Sequence, residues 1–173
     1  MSISTSATLN HVDLDAVSGL VQAIRDRPAA ASTNWSAEVR WNGGFRSEAR
    51  VRSFAPVPSD EPEALGGADT APNPVEQLLG SLGNCLAVGY AANATVAGIA
   101  IRDLRIELTG DIDLHAFLGL GEGHAGFDDI RVAVHLDADA PPDAVKALHD
   151  KVIGSSPVGH TLSRAIPVTI ELA

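Results

Sequence analysis

The chain has one cysteine, Cys85, among its 173 residues. A lone thiol cannot close an internal disulfide, so a small disulfide-stapled secreted fold is excluded. Basic residues are also scarce: 12 Lys and Arg stand against 22 Asp and Glu, a formal net charge of −10. That balance repels phosphate backbones and disfavours a nucleic-acid partner. No run of about 18 uninterrupted apolar residues occurs, and Met1 to His11 carry no apolar segment of signal-peptide type. The expectation is a soluble, cytoplasmic protein with no membrane association. His11, His115, His124, His135, His149 and His160 lack metal-ligand spacing, and no cofactor is expected. Gly119 to Gly123 is glycine-rich without a following helix, which argues against a phosphate loop, and no Gly-x-Ser-x-Gly elbow follows a strand. No internal repeat is present.

What remains is globular. Hydrophobic residues make up 45% of the chain and charged residues 20%, a composition that fits a single domain able to bury its own core. Residues 1–10 read as a loose Ser/Thr tail, and residues 1–29 as a whole form an N-terminal tail and helix ahead of a core at 30–173. Leu14, Val17, Leu20, Val21 and Ile24 recur at helical spacing, with Pro28 marking the stop. Two alternating runs follow, Trp35 to Trp41 and Phe45 to Val51, joined by Asn42-Gly43-Gly44; they predict a β-hairpin with one apolar and one charged face. Residues 55–74 are too rich in proline for regular structure and read as a loop. From Val75 to about Gly98 apolar residues surround a predicted helix almost completely, as in a core helix. Gly80, Gly83 and Gly89 lower its propensity but allow backbone to approach closely.

Strands are predicted over Ile101 to Leu108, with one irregular step, and over Ile130 to Leu136, with a loop at 113–126 between them. Leu118 and Leu120 in that loop either line a pocket mouth or pack. Pro141-Pro142 opens a helix that Gly154 ends. Ser156-Pro157 has the pattern of an N-cap followed by Pro at the first helical position, and a short helix is expected over 157–164. Ile166, Val168, Ile170 and Leu172 predict a last strand. This order is α+β. One thin sheet covers only one side of an apolar helix, so a homodimer that pairs two such helices is expected.

Cys85 is the first chemical candidate. Free cysteine often serves as a small buried hydrophobe. It becomes reactive as a thiolate, which needs a nearby cation or a helix N-terminus. Cys85 sits in mid-helix, so a cation must come from elsewhere.

The run Asn73-Pro74-Val75-Glu76-Gln77-Leu78-Leu79-Gly80-Ser81-Leu82-Gly83-Asn84-Cys85 resembles the signature of the OsmC/Ohr family, Pro-x-Glu-x-Leu-Leu followed by small residues and Leu-Gly-x-Cys. Ser156-Pro157-Val158 with Thr161-Leu162, and Trp41 to Arg46, fit the same family in order and spacing, from about residue 30 onward. The resemblance implies antiparallel sheets around a long buried central helix, in an intertwined homodimer with sites at the interface. It implies thiol-dependent reduction of organic hydroperoxides in oxidative stress defence. Cys85 falls at the peroxidatic position. Glu76 falls at a glutamate that orients an arginine, although other branches place that acid directly after Pro, where this chain has Val75. Arg46 is the candidate arginine, with Arg40, Arg50 and Arg52 as rivals in the same hairpin. Each arginine also reads as a surface residue, and Glu76 as an acid favoured by the helix dipole. On a straight helix Glu76 and Cys85 lie on opposite sides and about 13.5 Å apart along the axis, so the glutamate acts through the arginine, through a bend or across subunits.

The chain departs from the family pattern at Ser156, which stands where members with a full dithiol cycle have their resolving cysteine. A serine cannot resolve a sulfenic acid. Three readings stay open: a one-cysteine enzyme served by an external thiol or dithiol, a non-redox protein binding an apolar small molecule at the dimer interface, and a structural remnant with inert Cys85. His160 either lines the same pocket or lies on the surface.

Overall fold

The computed structural model describes residues 8–172. Most of the expected N-terminal tail therefore lies outside the described residues. Where it is described it is not loose. Asn10 takes a left-handed conformation at φ 51°, and its side-chain amide donates to Thr95 Oγ1 (3.0 Å) and to the Ile99 carbonyl (2.9 Å). Its Oδ1 accepts from the Ile101 amide at 2.9 Å. The Ser/Thr composition conceals this anchor because one amide side chain supplies it.

The described elements are α1 (Leu14–Asp26), β1 (Glu38–Trp41), β2 (Ser47–Arg50), β3 (Val57–Ser59), α2 (Pro74–Val96), β4 (Ile101–Ile112), α3 (Leu114–Phe117), β5 (Phe127–Ala138), α4 (Pro142–Ile153) and α5 (Pro157–Leu162). They form a mixed α+β fold with two small antiparallel sheets, β1-β2-β3 and β4-β5. Contacts divide the chain into two compact units, Asp15–Leu78 and the stretch from Leu79 onward together with the residues up to Leu14.

In the Asp15–Leu78 unit the predicted hairpin forms, with Val39 opposite Ala49 and Trp41 opposite Ser47. Gly43 and Gly44 turn the chain at φ 92° and 61°, values that cost glycine little. The expectation of a structureless 55–74 is corrected here. Val57–Ser59 adds a third strand, with Pro58 opposite Glu48. A proline has no N–H to donate, and an edge strand is where a sheet tolerates it. The next loop is organised by Asp60, a buried carboxylate that accepts from the Glu61, Ala68 and Thr70 amides and from the Thr70 hydroxyl at 2.7 Å. The Thr70 hydroxyl, with those amides, holds Asp60 below the usual carboxylate range against the opposing effect of burial.

The other unit holds the main core. Leu82, Leu86, Tyr90 and Ala94 recur every fourth residue along α2 and are all buried. They meet Leu148 and Val152 of α4 and the inner faces of β4 and β5, including Leu104, Ile106, Leu108 and Val134. Burying each large side chain contributes roughly 1.5–3 kcal/mol. The irregular step foreseen near the start of β4 is a register shift between Ile101 and Asp103. The apolar helix α2 is covered along the stripe of Leu82, Leu86, Tyr90 and Ala94. Within a single chain only one stripe is covered, and Val88 stays 70% exposed. The last predicted strand is also corrected: among the described residues, 166–172 join no ladder, with Ile170 91% exposed. Alternation alone forms no strand without a partner edge.

Gly83 and Gly89 of α2 admit side chains rather than backbone, while Gly80 has nothing against it. A Cβ on Gly83 would come 2.8 Å from Leu108 Cδ1, and one on Gly89 would come 2.9 Å from Val152 Cγ1. The two sites differ in how their neighbours can respond. Leu108 offers the far end of a flexible side chain. Val152 is β-branched and 1% exposed, so it has no room to turn. Replacing a helical glycine with alanine gains about 1 kcal/mol of propensity, while overpacking costs about 1–3 kcal/mol. Gly83→Ala is therefore expected to be neutral or stabilising in urea unfolding, and Gly89→Ala destabilising by about 1–2 kcal/mol. Combining Gly89→Ala with Val152→Ala is expected to cost less than the two single changes summed. Equal effects of the two alanines would contradict this packing.

Candidate functional site

Cys85 lies on α2 between the buried Leu82 and Leu86 and is itself only half-buried. Its Sγ is 3.3 Å from Ser156 Oγ. Ser156 is 4% exposed and caps α5, its Oγ accepting the Gly159 amide at 3.1 Å, with Pro157 at the first helical position. The N-cap reading of Ser156 therefore holds. With one lone pair engaged by Gly159, the hydroxyl keeps its hydrogen and a second lone pair for Cys85, so either side chain can donate while the sulfur is a thiol. A thiolate can only accept in this contact, so in that state Ser156 is the donor. Gly159 has to be small, since a Cβ there would come 3.1 Å from Ser156 Oγ.

A cavity of about 320 Å³ is lined by Leu82 of the helix that carries Cys85 and by Gly159 of the helix that Ser156 caps, but by neither Cys85 nor Ser156. Phe127 and Leu162 supply more of its apolar wall, and Asp128 and Asp129 line it as well. His160 turns elsewhere and bonds the Gly154 carbonyl at 3.0 Å.

The other two predicted residues belong to the Asp15–Leu78 unit. Glu76 closes a capping box at the start of α2: Asn73 Oδ1 accepts the Glu76 amide, and Glu76 Oε2 accepts the Asn73 amide, each at 2.9 Å. Its carboxylate thus serves the helix start, one of the two roles foreseen for it. Arg46 follows the Gly-Gly turn, exposed, beside a cavity of about 230 Å³ lined also by Asn42, Glu48 and Thr70. The rival arginines are engaged. Arg40 pairs with Glu38 at 2.6 Å and Arg50 with Glu48 at 2.6 Å, while Arg52 lies 4.6 Å over the Phe54 ring. Among the described residues, Arg46 is the hairpin arginine with neither an acidic partner nor a ring beneath it. Pairing with Arg50 draws the Glu48 carboxyl below its ordinary value.

Sequence reasoning missed one polar pair. Tyr90 Oη and His149 Nδ1 lie 2.5 Å apart, on α2 and α4. The residues are 59 apart in sequence, and no local pattern joins them.

An α+β fold that sets a helix-borne thiol against a capping hydroxyl matches a known class. The OsmC-like protein family model matches residues 66–171, well over half of the chain, and the chain belongs to that family. Its fold is similar to that of an OsmC-like protein from Mycoplasma pneumoniae, with TM-score 0.66, 19% identity, and coverage of 76% of this chain and 89% of that one. It is similar to an organic hydroperoxide resistance protein OsmC from Legionella pneumophila, with TM-score 0.56, 17% identity, and coverage of 76% and 91%. It is also similar to an organic hydroperoxide resistance protein from Elizabethkingia anophelis, with TM-score 0.55, 17% identity, and coverage of 75% and 89%. No curated protein matches the chain.

The Cys85–Ser156 contact predicts the outcome of a single substitution. Two sulfurs at these positions need close by only about 1.2 Å to reach the roughly 2.05 Å of a disulfide. Ser156→Cys is expected to form an intramolecular disulfide under mild oxidant. Intact mass should fall by two hydrogens, with both thiols lost to a thiol reagent. The loss of the cap is expected to cost the reduced variant about 1 kcal/mol. Two thiols that stay titratable after oxidation would show that the side chains do not face each other.

Proposed function

We propose that this protein is a one-cysteine reductase of organic hydroperoxides, with Cys85 as the nucleophile and an external thiol as reductant. The observation that carries the reading is the half-buried Cys85 sulfur 3.3 Å from the Ser156 hydroxyl, at the two positions where the resemblance places a dithiol pair. The names of the Legionella and Elizabethkingia neighbours support the substrate class.

The step balances as follows. The Cys85 thiolate attacks the terminal oxygen of ROOH; an S–O bond forms, the O–O bond breaks, and RO⁻ leaves to take a proton and become ROH. Cys85 is now a sulfenic acid. One external thiol condenses with it, releasing water and forming a mixed disulfide. A second thiol attacks that disulfide, leaving as the oxidised disulfide product and returning Cys85 as thiolate. Ser156 takes no covalent part. Its hydroxyl donates to the thiolate and favours the charged form. The proposed cation is Arg46, the hairpin guanidinium without an ion pair among the described residues, and Glu76 is proposed to orient it. The cation would stabilise both the thiolate and the charge on the departing oxygen.

Stopped-flow reaction with cumene hydroperoxide and trapping of sulfenic acid on Cys85 test the reading. In turnover the wild type is expected to consume two external thiols per peroxide at neutral pH. Arg46→Ala is expected to slow the reaction by about 10²-fold, the scale for losing one charge-stabilising group, with Arg50→Ala close to wild type. An unreactive thiol would remove the enzyme reading and leave the non-redox alternative, a pocket protein for an apolar small molecule. An Arg46→Ala protein as fast as wild type would remove that arginine.

We also propose that the working form is a homodimer. Val39, Trp41, Val88 and Ile170 are 66%, 75%, 70% and 91% exposed, although each belongs to an apolar pattern of the kind that calls for burial. Light scattering is expected to give twice the 17.9 kDa chain mass. Val88→Asp is expected to weaken association at least tenfold with the far-UV circular dichroism preserved. A monomeric wild type at micromolar concentration would end the proposal.

A further inference from the structure

A groove of about 550 Å³ runs between β5 and α4, in the unit that begins at Leu79. Its two walls differ in chemistry. Val132, Val134 and Leu136 line one wall at every second position, the spacing that puts strand residues on one face. Lys146 and His149 line the other, three apart on α4 and therefore neighbours on that helix surface. Tyr90 also lines it, 1% exposed, with its hydroxyl 2.5 Å from His149 Nδ1.

That contact sets what the histidine offers. Burial pushes the Tyr90 phenol up, so it keeps its proton. A phenol that donates into Nδ1 leaves the neutral imidazole proton on Nε2, which becomes a donor directed away from Tyr90. Lys146 adds an ammonium, shared with Asp150 at 2.5 Å. The acid that also lines the groove, Asp137, is paired with Arg102 at 2.5 Å. One wall is thus apolar, about 13 Å long from Val132 to Leu136 at roughly 3.3 Å per residue. The other presents hydrogen-bond donors and a cation.

We propose that this groove binds an unbranched medium-chain carboxylate, its tail along Val132, Val134 and Leu136 and its head group taken by Lys146 and His149. An alcohol of the same length would lack the charge that Lys146 and His149 recognise. The site uses neither Cys85 nor Ser156, so it stands apart from the peroxide reading.

Titration calorimetry on the full chain tests it, with decanoate as the probe. Decanoate is expected to bind saturably, each added methylene from hexanoate to decanoate tightening binding about threefold to fourfold. Decanol is expected to bind at least tenfold more weakly. Lys146→Ala is expected to weaken decanoate about tenfold, and Val132→Trp, which fills the groove from a half-open position, to abolish binding. Cys85→Ser is expected to bind like wild type. Absence of saturable heat, decanol binding equal to decanoate, or unchanged binding in Val132→Trp would each overturn the proposal. So would loss of binding in Cys85→Ser, which would move the ligand to the sulfur. If Val132→Trp altered the subunit stoichiometry while wild type ignored decanoate, a second copy would be the occupant instead.

Discussion

The stripe of α2 made by Leu82, Leu86, Tyr90 and Ala94, closed by α4 and the β4-β5 hairpin, is the constraint on which the Leu79-onward unit depends. α2 is thin where two neighbouring side chains approach it, and the thinness is required at Gly89. Gly89 lets Val152 lie against the helix, and Gly83 does the same for Leu108. A helix carrying these glycines gives up propensity, and close packing offsets the loss. The same stripe positions the two polar features of the helix. Cys85 precedes Leu86 on the edge of the stripe and is half-covered. Tyr90 lies on the stripe, and its hydroxyl finds its partner on α4.

Ser156 shows how one side chain can satisfy two demands. As an N-cap it accepts an amide that α5 would otherwise leave unpaired, and its remaining hydrogen faces the sulfur. A cysteine would make the cap weaker and the contact covalent under oxidant. The serine trades that covalent option for a firm helix start and a hydroxyl that donates whenever the sulfur is a thiolate. Both features are legible in the sequence as Ser156-Pro157, but only the fold brings them within 3.3 Å of Cys85.

What the sequence made legible was local, and what it hid was not. The hairpin followed from Asn42-Gly43-Gly44, α2 from its apolar density, and α4 and α5 from prolines, a glycine and a cap within a turn of their ends. The Asn73/Glu76 capping box was equally local, and it engages the acid that the family motif singles out. β3 was hidden because Pro58 reads as a breaker until its edge position is known. The anchoring of Asn10 was hidden because its partners lie 85 to 91 residues away. For 166–172 the alternation was real, but the segment pairs with none of the open edges that the two described sheets present. Among the hairpin arginines, Arg40 and Arg50 are engaged by acids, whereas Arg46, the candidate chosen from its place after the Gly-Gly turn, has no such partner among the described residues.

The residues left over by this folding share a property. Val88 on α2, Val39 and Trp41 on β1, and Ile170 beyond α5 are apolar at positions where their own patterns call for burial. A helix that is apolar all round and a strand that alternates are both incomplete statements of a core. Each gives the chemistry of the missing surface without supplying it. These positions fall in both units, and in the proposed dimer a second copy would supply the cover that each lacks. The dimer reading therefore rests on the same physics as the fold. The helix that folds the unit through one stripe carries Val88 on a side that stripe leaves open.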